Sequence, residues 1–161
     1  MRIKREPMKS VVKSQWRKRM NRIDEIMDML NWNNSDEMQS TGIALAKQVK
    51  CLSIFMQPVG KNLWDNCARI LYTKSDDELR PYLSKLLEWI QDLNWPGAMT
   101  ILERLQQFER DEVFAAVVGE FKRCAQAIGD ELWWNTLTEL SSISFVARRL
   151  SLFNSMIYLP S

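Results

Sequence analysis

Apolar residues recur every three or four positions along this chain, and that spacing constrains the fold more than any other feature. The first such stripe consists of Val12, Trp16, Met20, Ile23, Met27 and Leu30. Residues three or four apart share one face of an α-helix, whereas a half-buried strand alternates apolar and polar residues. No segment alternates for long enough to predict a strand. We therefore predict an all-α fold.

The length of the chain fits one domain over 1–161, with seven or eight antiparallel helices. Its 161 residues can bury enough surface for one continuous core. Five glycines and five prolines are too few for the turns of an all-β sandwich. Trp32, Trp64, Trp95 and Trp133 recur at intervals of 32, 31 and 38 residues. This recurrence favours stacked helical hairpins of the HEAT type, with an irregular helical bundle as the alternative.

Capping residues and helix breakers predict where the helices begin and end. The predicted helices span about 10–30, 36–57, 61–73, 79–93, 96–108, 112–128, 131–140 and 143–154. Ser75 and Glu78 have the spacing of a capping box, and Asp111 is placed as an N-cap. Gly129 suits the left-handed position that closes a helix.

The absence of histidine removes several classes of active site. Histidine is the commonest general base and transition-metal ligand. Cys51, Cys67 and Cys124 are too far apart to form a zinc pair, and we interpret each as a reduced, buried thiol. The glycines never cluster into a phosphate-binding loop. We therefore predict no catalytic residue, no metal site and no cofactor, and we do not expect an enzyme.

Seven tryptophans are many for a chain of this length. Trp16, Trp64, Trp89 and Trp133 lie on apolar stripes, so we predict that they pack in the core. Trp134 directly follows Trp133, and neighbouring helix residues point about 100° apart. One member of that pair is therefore expected at the surface or in an interface.

Positive charge is concentrated at the start of the chain. Residues 1–20 contain eight lysines and arginines and one acid, Glu6. Residues 21–161 carry the remaining 14 bases and 19 acids, a net charge of −5. The chain thus has a basic leader on a mildly acidic body.

The basic leader, residues 1–19, continues into the first predicted helix, because the apolar stripe runs through it. Lys9, Lys13 and Arg17 share one helix face and could contact nucleic acid. We favour a solvated helix end, so nucleic acid is not the expected partner. No apolar run is long enough to span a membrane, and no secretory signal is present. The cytoplasm is the expected compartment, without membrane binding.

One segment, Trp89-Ile90-Gln91-Asp92-Leu93-Asn94-Trp95-Pro96, follows a leucine-rich helix and precedes another helix. It resembles the hallmark W-[LI]-Q-D-[LM]-N-W-P of a bacterial family of small HEAT-like all-α proteins, and the resemblance covers about 63–108. Members of that family often serve as immunity proteins of polymorphic or contact-dependent toxin systems. The resemblance also implies that Asp92, Asn94, Trp95 and Pro96 form a junction between helices rather than an active site.

These features lead to two functional hypotheses. The first is an immunity protein that binds and neutralises a cognate toxin without enzymatic chemistry. The acidic body would complement a basic nuclease or a translation-targeting toxin. The candidate contacts are exposed acids and one aromatic residue, namely Asp76, Asp77, Glu88, Asp92 and Trp134. The alternative is a nucleic-acid-binding helical-repeat module that uses the basic N-terminal helix.

Overall fold

Helices follow one another through short connections in the computed structural model, which describes residues 10–142. They are α1 (Ser10–Met29), α2 (Asp36–Ala46), α3 (Trp64–Tyr72), α4 (Asp76–Leu79), α5 (Leu83–Trp89), α6 (Ala98–Gln106), α7 (Glu112–Ile128) and α8 (Glu131–Ser142). Short 3₁₀ segments lie at Leu52–Phe55, Lys61–Leu63 and Arg80–Tyr82. Residues 10–142 contain no strand, and the all-α prediction is confirmed. The helix predicted at 143–154 and the first nine residues of the leader lie outside the described residues.

Local capping sets most of these boundaries, as the sequence predicts. Side-chain hydrogen bonds confirm the N-caps predicted at Ser75 and Asp111, and Ser35 caps α2 in the same way. In the capping box, Ser75 Oγ accepts a hydrogen bond from the Glu78 amide at 3.3 Å. Glu78 Oε2 in turn accepts from the Ser75 amide at 2.9 Å. Gly129 closes α7 with a φ of 73°, in the left-handed region predicted for it.

The second helix ends at Ala46, so its predicted continuation to about residue 57 is wrong. In a continuing helix the Lys47 carbonyl would accept from the amide four residues later. Here it accepts from Lys74 Nζ at 2.9 Å. The chain then turns through a 3₁₀ segment that buries Leu52 and Phe55. A donor distant in sequence therefore satisfies a carbonyl at the end of this helix.

The single helix predicted over 79–93 is also wrong, because the chain forms α4, a 3₁₀ turn and the short α5 there. Pro81 lies in the 3₁₀ turn and cannot donate a helical hydrogen bond. Helix α6 begins at Ala98 rather than at Pro96, since Gly97 takes a left-handed φ of 77°. A Cβ at Gly97 would lie 2.6 Å from Ala68 Cβ, which explains why glycine fits this position.

The buried apolar side chains form one cluster that extends from Ile26 in α1 to Leu140 in α8. Helices α1 and α2 pack as one hairpin, and α7 and α8 pack as another. Between them α3 packs on α6, with α4 and α5 intervening in sequence. Hairpins of neighbouring helices therefore form both ends of the described fold, and a less regular arrangement forms its centre.

The N-terminal hairpin is joined to α3 through a buried asparagine. Asn66 Nδ2 donates to the Leu30 carbonyl at 2.8 Å and to Gln39 Oε1 at 2.7 Å. The Leu30 carbonyl comes directly after α1, where helix carbonyls lack partners within the helix. Asn66 therefore satisfies the end of the first helix from a position 36 residues later.

Three apolar-side-chain predictions need correction. Trp16 was expected in the core, but it is 55% exposed. The cause is length: α1 is about 30 Å long and α2 about 16 Å, so α2 cannot cover the first half of α1. Cys51 and Cys124 are exposed, and only Cys67 of the three cysteines is buried as predicted. Among residues 10–142, no helix has both the length and the apolar composition needed to cross a bilayer.

Candidate partner-binding site

A groove of about 630 Å³ lies between the α5–α6 junction and one face of α8, and we call it the acidic groove. The lining residues are Gln91, Asp92, Leu93, Asn94, Trp95, Asp130, Leu132, Asn135, Thr136 and Glu139. The first five belong to the segment that carries the family-like motif. The last four lie on one face of α8, because Asn135 and Thr136 are each three or four residues from both Leu132 and Glu139.

The junction wall of the acidic groove is held by hydrogen bonds within the motif. Trp89 is fully buried, and its indole Nε1 donates to the Pro96 carbonyl at 2.9 Å. Asp92 Oδ1 accepts from the Asn94 amide at 2.9 Å and from Asn94 Nδ2 at 3.1 Å. The Trp95 amide donates to the Asp92 carbonyl at 3.0 Å. These bonds fix a tight turn that presents Asp92 to the groove.

A cluster of three tryptophans supports that wall from behind. The Trp64 ring packs edge-to-face on Trp89 and Trp95, with centroids 5.8 and 6.0 Å away. The indole of Trp64 donates to the Pro58 carbonyl at 2.8 Å. Edge-to-face aromatic pairs add to the stabilisation from burial alone. The junction is therefore a rigid part of the molecule.

The α8 wall is fixed to the junction at its N-terminal end. Asp130 Oδ1 accepts from the Trp133 amide at 3.0 Å and caps α8. Asp130 Oδ2 accepts from Gln91 Nε2 at 3.3 Å and so bridges the two walls. Trp133 Nε1 donates to the Leu87 carbonyl at 3.1 Å. Helix α8 thus has a defined position against α5.

The acidic groove combines negative charge with an apolar contact. Asp92, Asp130 and Glu139 line it, and none of its lining residues is a lysine or arginine. Leu132 is 80% exposed beside these carboxylates. A concave site lined by one sign of charge concentrates its potential. This arrangement can accept a lysine or arginine side chain, whose aliphatic part would contact Leu132.

The structure places one predicted contact, Asp92, in the acidic groove. Trp134 is 37% exposed, so it is the surface member of its pair, as predicted. It lies about 200° around α8 from Leu132, and Lys122 Nζ sits 5.5 Å from its ring centroid. Glu88 lies on α5, where its carboxylate binds Lys85 Nζ at 2.9 Å. Trp134 therefore faces away from the acidic groove, and Glu88 lies outside its lining.

The other two predicted contacts lie on α4, away from the acidic groove. Asp77 is exposed in the first turn of that helix. Asp76 Oδ1 binds Arg104 Nη2 at 2.5 Å, and Asp76 Oδ2 accepts from the Glu109 amide at 2.8 Å. Asp76 therefore joins α4 to α6 and to the loop that follows α6.

Sequence reasoning missed most of the groove because it treated each helix separately. Asp130 was read only as a helix start, and its second bond, to Gln91, joins positions 39 residues apart. Asn135, Thr136 and Glu139 form the polar face of α8, which looks like an ordinary solvated face in the sequence. The available signal was an exposed leucine, Leu132, on that same polar face.

Helix capping and burial shift the pKa values of three groups, two on caps and one in the core. The Ser75 amide holds the pKa of Glu78 below its ordinary value, and the Phe114 amide does the same for Asp111. Burial raises the pKa of the Cys67 thiol to about 12. Capping and burial explain these shifts. No group of three metal-ligating side chains with suitable geometry occurs within residues 10–142.

A family model with the description "Domain of unknown function (DUF5071)" matches residues 59–153, which is more than half of the chain. The match includes α3 to α8 and both walls of the acidic groove. Helices α1 and α2 precede it. No curated protein and no solved structure matches the chain.

Proposed function

This chain belongs to the family described as Domain of unknown function (DUF5071), and we propose that it is an immunity protein that binds and neutralises a cognate toxin by non-covalent contact. The observation that carries the proposal is the acidic groove, a rigid, acid-lined concave surface within the family region. The motif of residues 89–96 forms one of its walls. The resemblance of that motif to immunity proteins also supports the proposal.

The chemistry of the acidic groove supports a basic protein partner. Its carboxylates can pair with a lysine or arginine, while Leu132 provides an apolar contact for the rest of that side chain. Complementary charge also speeds association, which benefits an inhibitor that must capture a toxin quickly. A nuclease or a translation-targeting toxin would supply the required basic surface. We place this encounter in the cytoplasm, where the targets of such toxins are found.

The support of both walls favours tight binding. The Asp130–Gln91 bond and the Trp133–Leu87 bond hold the walls in place before any partner arrives. A preformed site loses little conformational entropy on association. Binding without catalysis also suits the lining residues. The Thr136 hydroxyl donates to the Leu132 carbonyl at 3.0 Å, so it is not held by a general base.

The test is co-expression with the product of the neighbouring gene, followed by co-purification and measurement of affinity. Glu139→Lys reverses one charge in the acidic groove at an exposed position. Glu120→Lys makes the same change at an exposed position on α7, outside the groove. We expect Glu139→Lys to weaken binding at least about tenfold and to reduce protection of the cell.

Glu120→Lys should leave both affinity and protection within about threefold of the wild type, because salt screens an exposed charge that lies outside the groove. Equal loss in the two variants would show that the net charge, rather than the groove, drives binding. Failure of the neighbouring product to bind or to be neutralised would overturn the proposed function.

A further inference from the structure

A second groove, of about 590 Å³, lies between α1 and the end of α2, and we call it the basic groove. Its apolar lining consists of Trp16, Met20, Ile23, Ile26, Leu45 and Val49. Arg19, Arg22 and Lys50 also line it, and no acid does. The remaining lining residues are Gln48 and Cys51.

Among the residues that the structure describes, the apolar stripe of α1 is covered only over its second half. Ile26 is 3% exposed, whereas Met20 is 53% exposed on the same stripe. Met20 lies beside the point where the shorter α2 ends. The floor of the basic groove is therefore the uncovered continuation of a stripe that elsewhere packs in the core.

The cations of the basic groove have no acidic partner in the described part of the chain. Arg19, Arg22 and Lys50 form neither an ion pair nor a side-chain hydrogen bond within residues 10–142. Of the acids on α1, Glu25 and Asp28 lie on the opposite face, and Asp24 lies one turn after Met20 but does not line the groove. The groove thus presents an apolar floor between positive charges that lack a counter-charge.

We propose that the basic groove binds an amphipathic helix of a partner protein, one that carries acidic residues beside its apolar stripe. A channel between two helices accepts the ridge of side chains on a third helix. Apolar residues of that ridge would cover Met20 and Ile23, and its acids would pair with Arg19 and Arg22. This inference does not depend on the proposed function, because the basic groove precedes the family region.

Other occupants fit the groove less well. Leu45 and Ile23 lie half-buried on the floor, where a protruding side chain reaches them but a flat bilayer surface does not. Nucleic acid would use the cations through its phosphates and would leave the aliphatic floor uncovered. A second copy docked through the same helix would place Arg19 and Arg22 against like charges.

The test uses a fluorescently labelled synthetic peptide as the probe. The peptide is a helix former with leucines at helical spacing and glutamates on both sides of the leucine stripe. One control peptide has lysine in place of every glutamate. The other control peptide has the same composition with the leucine stripe scrambled. Fluorescence anisotropy measures binding to the full chain, and circular dichroism verifies that each variant is folded.

The test variant combines Arg19→Glu with Arg22→Glu, and its matched control combines Lys13→Glu with Arg17→Glu. Both pairs make the same change in net charge, but Lys13 and Arg17 do not line the groove. We expect the acidic peptide to bind at least about tenfold more tightly than either control peptide. The groove variant should weaken that binding about tenfold, and the control variant less than about threefold.

Several results would overturn this proposal. They are absence of binding by the acidic peptide, equal binding of the scrambled or lysine peptide, and equal losses in the two variants. Competition that needs Arg19 and Arg22, by vesicles of phosphatidylserine and phosphatidylcholine or by a duplex oligonucleotide, would identify a lipid or nucleic-acid site. A sedimenting dimer that the groove variant dissociates would identify a second copy as the occupant.

Discussion

The acidic groove and the basic groove differ in how their shape arises. Trp133 donates to the Leu87 carbonyl and Gln91 donates to Asp130, and these bonds join the two walls of the acidic groove, while the Trp89–Pro96 bond fixes the junction wall itself. The basic groove exists because α1 is nine residues longer than α2 and leaves part of its apolar stripe uncovered. The acidic groove has walls that already pack on each other. The basic groove is a pair of helices with room for a third.

The family match includes one of the two grooves and not the other. The acidic groove lies inside residues 59–153, and the basic groove lies outside that range. A shared function of the family would therefore use the acidic groove. Binding at the basic groove would be a property of the N-terminal hairpin.

Two tryptophans give the largest expected contrast between the grooves. Trp89→Ala removes a fully buried ring and its bond to the Pro96 carbonyl, so we expect a loss of about 3–5 kcal/mol in unfolding free energy. Trp16→Ala should change it by less than about 0.5 kcal/mol, because that ring is largely exposed. Urea unfolding measures both. A large loss in Trp16→Ala would mean that the α1 stripe is covered in solution.

Two glycines provide a second contrast, inside the family region. Gly97→Ala places a Cβ 2.6 Å from Ala68 Cβ at a positive φ, so we expect a loss of about 2 kcal/mol or more. Gly119→Ala adds a Cβ with no atom within 4 Å, in the middle of α7. That change should stabilise the protein by about 0.5–1 kcal/mol. Thermal and urea unfolding measure the stability of both variants. Equal changes in stability would contradict the close packing of Gly97 against Ala68.

The capping box of α4 predicts a smaller, pH-dependent effect. Ser75→Ala should cost about 1 kcal/mol at neutral pH. Because the pKa of folded Glu78 lies below its ordinary value of 4.5, the carboxylate stabilises the fold above that pH. This contribution disappears as the pH falls through the lowered pKa. Urea midpoints across this range should decline less steeply in Glu78→Gln, and an unchanged slope would argue against the capping role.

Cysteine reactivity tests the comparison in the native protein, without any substitution. Cys51 and Cys124 are exposed, whereas Cys67 is buried with a pKa of about 12. Only the thiolate reacts with alkylating reagents, so the native protein should label at two of its three cysteines. Mass spectrometry after brief labelling identifies the sites.

Because Cys51 lines the basic groove, the bound acidic peptide should slow its labelling. Cys124 on α7 serves as the internal control and should label at an unchanged rate. Protection of both cysteines would point to a general effect of the peptide on the protein, and protection of neither would argue against binding in the groove.

The sequence was sufficient for the side-chain caps, which depend on neighbouring residues. The caps at Ser75 and Asp111 each need only an amide three residues later, and both were predicted. Sequence reasoning failed where the partner is distant. The end of α2 depends on Lys74, 27 residues away. The exposure of Trp16 depends on the length of α2, and the sequence pattern of α1 does not predict that length.

The candidate site shows the same limit more strongly. Asp92 was chosen from the sequence as an exposed acid, and it does line the acidic groove. Asp130 and Glu139 were missed because only the packing of α8 against the junction brings them near Asp92. Periodicity assigns a residue to a face of its own helix, but it does not say which other helix lies opposite.

The bonds that Asn66 and Lys74 make to the N-terminal hairpin have a consequence for the order of events during synthesis. The carbonyls of Leu30 and Lys47 leave the ribosome before those two donors do. The donors follow 36 and 27 residues later, respectively, a delay of roughly one to seven seconds at typical rates of translation. Until then the hairpin of α1 and α2 lacks these two hydrogen bonds. The end of α1 therefore stays without its bond to Asn66 until α3 has been synthesised.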